Sequence, residues 1–505
     1  MATSKDFPPS SSLAYQRVEV VVLGAGMSGL CMGIELKRSG IDNFLIIEKQ
    51  TGIGGTWWDN IYPGAHVDLP SPLYCFSFEP NPYWKQRFAA ASEIQSYMQG
   101  CIKKYGLEPY LRLGTKIVSA SFNELRGMWE IDIINANGQQ RIETRFFVCS
   151  TGPLSQVRWP DIPGLETFKG RRLHSARWDP AYSAEGQRVA VIGTGSTGCQ
   201  LIPKIAEQAK SLFVLQRTAN WVMPRLDRQY SPIDHKLAQF PPYAWVVRRF
   251  WYAFMELTRN GFNKGTVMRS LMMRTAAFHM NQQVSNIGLR KRLKPNYPLG
   301  CKRIIFSSDF YPAICQPNVE LVTDPIDYLT ADSFVTASGR NYQIDTLVCA
   351  TGFETTRLLS ALSIYGLAGR SLNDVWADSP QAYKGVAVAE FPNLFFLLGP
   401  NTATAHTSTL LYIEPQTRHV VECIQKVRQG GYHWISVRPE IQKTYNQNLQ
   451  YRLSESVWSM CNSWYRNKNG RIVMLWPGTT DEYVKSLEND DFTAYSFVSA
   501  KTANA

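Results

Sequence analysis

Two glycine-rich turns carry the clearest chemistry in the sequence. Gly24-Ala-Gly26-Met-Ser28-Gly29 follows a β-branched apolar run at 18–23, and Gly193-Thr194-Gly195-Ser196-Thr197-Gly198 follows a similar run at 188–192. Glycines at this spacing let the backbone approach a pyrophosphate, and the helix that follows offers N–H donors and a partial positive charge at its N terminus. One such turn is weak evidence, because glycines also mark ordinary tight turns; two, each between a strand and a helix, predict two dinucleotide sites. The residue 24 positions after the first glycine is Glu48 in one unit and Arg217 in the other. A carboxylate accepts hydrogen bonds from a free ribose diol and repels a 2′-phosphate, whereas a guanidinium pairs with that phosphate. Glu48 therefore predicts FAD at the first site. Arg217, with Thr218 beside it, predicts NADPH in preference to NADH at the second.

These residues need strands and helices to aim them. The run at 44–48 reads as the second strand of a βαβ unit closing on Glu48, and residues 212–217 play that part in the second unit. Three more apolar strands end in glycine, at 146–152, 347–352 and 394–399, and are predicted to return to the two sites. A helix-forming stretch from about Ala403 onward implies that the C-terminal segment folds back on the first unit and makes it discontinuous. The expected fold is α/β, with two Rossmann-like dinucleotide-binding domains. Residues 12–153 and 386–505 would form the FAD domain, and 154–385 the NADP domain. Within the latter, about 230–295 reads as a helical insertion whose many aromatic residues are expected to be core. No repeat of 20 to 50 residues is evident beyond the doubled nucleotide unit.

A chain of 505 residues is long enough for two or three cores, so a multi-lobed enzyme is expected and a small binding module is not. The net charge is +12, and the basic residues are spread out, the densest run being 289–294, which predicts solubility and steering and no nucleic-acid partner. Among ten cysteines the closest pair, Cys301 and Cys315, stand fourteen apart, which leaves neither a CxxC motif nor zinc-ligand spacing. No metal site is expected, and a disulfide reductase is disfavoured. No run approaches the roughly 20 apolar residues of a membrane span. The first 16 residues lack an apolar signal core, so cytoplasmic residence is expected.

Four segments resemble the type I Baeyer–Villiger monooxygenases, a branch of the class B flavoprotein monooxygenases. Residues 168–179, with Phe168, Gly170, His174, Trp178 and Asp179, fit the fingerprint FxGxxxHxxxW followed by Pro or Asp; 54–68 fit GGxWxxxxYPGxxxD. Lys302-Arg303 stands where that family has a phosphate-holding lysine before its active-site arginine, and Asn462-Ser-Trp464-Tyr resembles a mobile segment that hydrogen-bonds NADP. The resemblance implies that Thr56, Trp57, Trp58, Asp59, Tyr74 and Ile117 contact FAD, with Thr409 at a flavin-edge position where relatives differ. It also implies that Asp68 stands on the nicotinamide side and that Arg303, Asp68 and His174 serve catalysis.

The implied cycle runs from NADPH to FAD, then with molecular oxygen to a C4a-peroxyflavin that attacks a ketone and yields an ester or lactone. Arg303 would be the permanent cation that keeps the peroxide deprotonated, and Asp68 would grip its planar fork in two places. Trp464 would help retain NADP. An N- or S-hydroxylating flavin-containing monooxygenase is the alternative; such relatives usually carry Tyr or Phe where Trp178 stands. A non-catalytic nucleotide-dependent sensor would share the fold but not the whole residue set. Around 399–406 and 476–479 the sequence departs from ring-ketone oxygenases toward those acting on acetophenone-type ketones. Ring, open-chain and aryl ketones stay open at this point, as do monomer and homodimer.

Overall fold

Strands that are apolar without alternation belong inside a parallel sheet covered on both faces. The computed structural model describes residues 15–355, 359–377 and 379–499, and there β1 (Tyr15–Leu23) has Val20, Val21 and Val22 fully buried. It lies parallel between β2 (Phe44–Ile47) and β6 (Gly138–Cys149), with Leu23 opposite both Ile47 and Cys149. β3 (Leu111–Arg112) extends the sheet beyond β2, and β5 (Met128–Asn135) and β4 (Lys116–Asn123) extend it antiparallel beyond β6.

The second sheet is all parallel. Its centre is β8 (Arg188–Ile192), with β9 (Ser211–Leu215) on one side. On the other side come β16 (Thr346–Cys349) and then β7 (Arg171–His174), while β12 (Val319–Val322) lies outside β9. Between these sequence positions β10 (Val222–Met223) pairs with β11 (Ile305–Phe306), and β13 (Ile326–Leu329), β14 (Ser333–Thr336) and β15 (Asn341–Gln343) form an antiparallel flap.

The chain then returns to the first sheet. β17 (Ser363–Tyr365) joins the β4 edge, and β18 (Leu394–Phe396) runs parallel to β6 at Phe147–Cys149, just past the point where β5 stops. β19 (Tyr432–Val437) and β20 (Tyr495–Ser499) close a small antiparallel pair.

α1 (Met27–Arg38) joins β1 to β2; the four-residue α2 (Thr56–Asp59) and α3 (Ala91–Tyr105) follow. α4 (Ser196–Ala206) repeats the role of α1 in the second unit. Both turns need glycine at their last position for a steric reason. A Cβ on Gly29 would stand 1.8 Å from the Gly24 carbonyl oxygen, and one on Gly198 2.2 Å from that of Gly193.

The insertion expected at about 230–295 is helical: α5 (Pro232–Ala238), α6 (Pro241–Arg259), α7 (Val267–Gln283) and α8 (Ile287–Leu293). Its aromatic residues follow expectation only in part: Phe262 is core and Trp251 and Tyr252 pack against it, but others do not. Trp245, Phe250, Phe254 and Phe278 are exposed, because the helix faces that pack inward carry other side chains. α9 (Phe310–Ile314) and α10 (Leu372–Trp376) are short. α11 (Leu410–Gln429) packs on α1, with α12 (Pro439–Ser454) and α13 (Thr480–Glu488) after it. α11 begins seven residues later than the predicted start at Ala403. The Thr404 hydroxyl oxygen accepts from the backbone N–H groups of His406 and Thr407, which holds 404–407 as a local turn.

Candidate active site

The carboxyl ends of both parallel sheets face one cleft of about 1700 Å³, larger than the roughly 300–1000 Å³ of an ordinary ligand pocket. Gly24, Gly26 and Ser28 line it at the first turn, where the chain reverses at φ +107° on Gly24. Glu48 ends β2 buried, its two oxygens accepting from the Ala25 and Gln50 backbone N–H groups at 2.9 Å each. Each carboxylate oxygen keeps a further acceptor site for a ribose hydroxyl. Thr56, Trp57, Asp59, Tyr74, Ile117 and Thr409 also line the cleft, and the Trp57 indole N–H donates to the Tyr74 hydroxyl at 3.0 Å.

The second turn presents Gly193, Thr194, Gly195, Ser196 and Thr197 to the same space. No heavy atom comes within 4 Å of where a Cβ on Gly195 would stand, so the N terminus of α4 opens into the cleft. Arg217 and Thr218 follow β9 there, and Lys302 approaches from the loop before β11. Among the described residues no carboxylate is within ion-pair reach of Arg217 or Lys302, and the Lys302 ammonium stands over the Tyr297 ring at 4.6 Å. Burial, and then the nearby Arg217 charge, hold the Lys302 pKa below the usual lysine range. Two neighbouring cations with no acid between them have the chemistry to receive a dianion.

Where the two turns' territories meet, Arg303 donates through Nε to Asp68 Oδ2 at 3.4 Å. The carboxylate thus meets one nitrogen and does not grip the fork in two places, which leaves the terminal nitrogens for the cleft. Burial works against the charge of Arg303, but the Asp68 carboxylate together with the Tyr465 and Tyr74 hydroxyls outweighs it and moves the guanidinium above its ordinary value. Asp68 is held in turn by Gln200, whose amide N–H donates to Oδ1 at 2.8 Å while its oxygen accepts from the Tyr62 hydroxyl at 2.8 Å. Gln200 belongs to α4 and was not foreseen. Its only sequence signal is its place two residues beyond the second glycine motif, in the first turns of α4.

Three expected contacts and one expected catalytic residue stand outside the cleft. Gly29 and Gly198 act beneath their turns, and Trp58 turns away against Gly52. His174 is buried at the end of β7, where its Nδ1 accepts from the Ala176 N–H at 3.2 Å and its ring meets Trp159 edge-on at 5.3 Å. Trp159 lines the cleft, so His174 stands behind the wall and does not reach the reacting space. Burial keeps its pKa below the usual histidine value. Trp178 is likewise buried, edge-on to Tyr182 at 5.5 Å. Arg177 of the same segment forms an ion pair with Asp59 at 3.0 Å, tying this fingerprint to the first unit.

Trp464 lies on the rim, half-exposed, with Asn462, Ser463, Arg466, Asn467 and Lys468 of its segment also on the cleft wall. A disulfide joins Cys461 to Cys301 and so fastens this segment to the loop that carries Lys302 and Arg303. No sequence motif announced that pairing across 160 residues.

The flavin-binding monooxygenase-like family model matches residues 16–358. The chain belongs to this family. Among its relatives, the Baeyer-Villiger monooxygenase of Streptomyces coelicolor is 36% identical over 97% of this chain and 96% of its own length. The protein of the same name from Pseudomonas aeruginosa is 36% identical over 97% and 93%. Among solved structures, closed cyclohexanone monooxygenase superposes with a TM-score of 0.88 at 26% identity, covering 96% of this monooxygenase and all of that chain. Steroid monooxygenase bound to NADP superposes at 0.85 with 27% identity over 96%. Two Rossmann-like units opening on one cleft are thus the shared frame of this flavin-binding monooxygenase and its relatives. Among the described residues no helix is long and apolar enough to cross a membrane.

Proposed function

We propose that this monooxygenase binds FAD and NADPH and inserts one atom of molecular oxygen beside a ketone carbonyl, giving an ester or lactone. The observation that carries this reading is Arg303 held by Asp68 where the two nucleotide sites meet. Ketone, oxygen, NADPH and a proton give ester, NADP⁺ and water. FAD, when bound, accepts the hydride from NADPH and activates oxygen.

The chain's own residues bind and orient. Glu48 takes the ribose of FAD, and Arg217 with Lys302 takes the 2′-phosphate of NADPH. Asp68 fixes the Arg303 plane through Nε, and the free terminal nitrogens donate where negative charge builds beside the carbonyl. Gln200 and Tyr62 keep Asp68 from turning, and Trp464 with its neighbours excludes water from one side. His174 is a positioning residue behind Trp159. In this division residues 12–153 and 386–505 hold FAD and 154–385 hold NADPH, although β17, inside the second span, lends its backbone to the first sheet. Acetophenone-type ketones are the substrates to try first. The reading includes cytoplasmic residence and action as a monomer or homodimer.

Arg303→Ala is the test, with ester and hydrogen peroxide measured against NADPH consumed. The variant should bind both cofactors, oxidise NADPH slowly and release peroxide, with ester formation lowered about 10²–10³-fold. Arg303→Lys keeps a cation but loses the Nε contact, and should couple only in part. Near-normal ester formation by Arg303→Ala would reject this assignment.

A further inference from the structure

The helical insertion carries most of the net positive charge of the protein. Residues 230–295 hold eleven Lys or Arg and two acids, Asp234 and Glu256, so nine of the twelve net positive charges are found there. Neither acid faces outward unengaged. Asp234 pairs with Arg228 and caps α5, and Glu256 turns inward to His406 and Thr480.

α6 has its apolar stripe on the outside. Its inward face includes Arg248, Trp251, Tyr252, Met255 and Arg259, spaced by three or four residues. Arg248 donates to the carbonyls of Pro72 and Cys75, and Arg259 to that of Pro477. The outward face presents Trp245, Val246, Arg249, Phe250, Ala253, Phe254 and Leu257, apolar but for one arginine. Phe250 and Phe254 lie stacked at 6.5 Å on that face. The adjoining α5 and its end add exposed Ile233, Leu237 and Phe240. Lys236 and Arg249 are exposed beside these side chains and form no ion pair among the described residues.

We propose that the α5–α6 face docks the enzyme on an anionic phospholipid surface, aromatic and aliphatic side chains entering the headgroup region and the cations meeting lipid phosphate. An amphipathic helix with Trp and Phe on one face and basic residues beside them is the form that binds a membrane in its plane without spanning it. Charge decides against a second copy of this chain as the occupant. A two-fold contact would set the same cationic face against itself, whereas the phosphates of an anionic bilayer complement it.

Holoenzyme is sedimented with vesicles of phosphatidylglycerol and phosphatidylcholine in equal parts, and with phosphatidylcholine alone. Wild type should partition to the anionic vesicles, and less as salt rises. The triple variant Trp245→Ser/Phe250→Ser/Phe254→Ser should bind them at least about tenfold more weakly. None of these three residues lines the cleft, so flavin content and turnover of soluble ketone should stay at the wild-type level and show that the variant is folded. Arg249→Glu should lose the preference for anionic lipid while keeping the apolar face. Failure of wild type to bind anionic vesicles, or equal binding by the triple variant, overturns the proposal. So does a wild type that is dimeric by light scattering and becomes monomeric in the triple variant, which would give the face to a second copy.

Discussion

Lys302 and Arg217 come from segments 85 residues apart and bring two positive charges to one end of the second sheet. That arrangement is unfavourable until an anion separates them, and it makes the 2′-phosphate a matter of pH. Lys302 has its pKa depressed, first by burial and then by Arg217, so it loses its proton as pH rises through a value below that of free lysine, about 10.4. In the proposed reading NADPH needs that proton, for its 2′-phosphate, and NADH does not. The ratio of kcat/KM for NADPH to that for NADH should therefore fall on the alkaline side earlier than free lysine would dictate, since kcat/KM reports the free enzyme. Lys302→Arg should flatten the fall. Arg217→Ala should lower the ratio at every pH by roughly tenfold or more, the worth of one hydrogen bond to a charged group. A ratio that is flat with pH in wild type and unchanged in Arg217→Ala would remove both residues from phosphate recognition.

At the scale of elements, α6 is held to the body of the enzyme partly through one carboxylate. Glu256 Oε1 meets His406 Nε2 at 3.0 Å and also accepts from the Thr480 hydroxyl. Burial alone would raise its pKa, but the His406 and Thr480 hydrogen bonds more than reverse this and leave it below the usual glutamate value. A depressed carboxylate contributes stability that is fully present above its unfolded pKa, about 4.3, and is lost as pH falls through the lower folded value. Glu256→Gln should cost about 2 kcal/mol near neutrality. The Tm difference between wild type and variant should shrink below about pH 4.3; a difference that stayed constant into acid would mean that the carboxylate's charge plays no part.

What could be read from sequence at this scale was whatever is local. The glycine turns, Glu48 and Arg217 follow from backbone sterics and from one charge at a fixed offset, and all four features open on the cleft. α11 starts later than its composition predicts because hydrogen bonds to the Thr404 side chain compete with the helix, which composition does not reveal. The outward aromatic residues of α6 are not legible in the sequence, because helical periodicity shows that a stripe exists without showing which side the body of the protein takes. Gln200 and the Cys301–Cys461 bridge depend on contacts between segments more than a hundred residues apart, and no spacing rule reaches that far.

At the scale of the whole molecule, that bridge couples two parts of the cleft wall. One end adjoins Lys302 and Arg303 and the other adjoins Asn462 to Trp464, so the bridge tethers the loop before β11 to the rim segment while it is intact. Cys461→Ser should free the rim segment. The expected result is a Tm loss corresponding to about 2–4 kcal/mol together with a raised Kd for NADP⁺ measured by titration. Unchanged NADP⁺ affinity alongside lowered Tm would leave the bridge a stability element only.

The pairing of β18 with β6 sets an order of events during synthesis. Phe147–Cys149 and their partner strand Leu394–Phe396 are separated by about 245 residues of chain. At about 5–20 residues per second of translation, that edge of the first sheet stays without its neighbour for tens of seconds or less. The fully buried Phe146, Phe147 and Val148 belong to it, and an apolar strand edge left open is a place where chains join wrongly. The second sheet, whose strands all lie between residues 171 and 349, is complete before the first. A ribosome thus releases this enzyme with its nucleotide units finished in the reverse of the order in which they were begun, and a chain halted anywhere short of residue 394 leaves the older unit open.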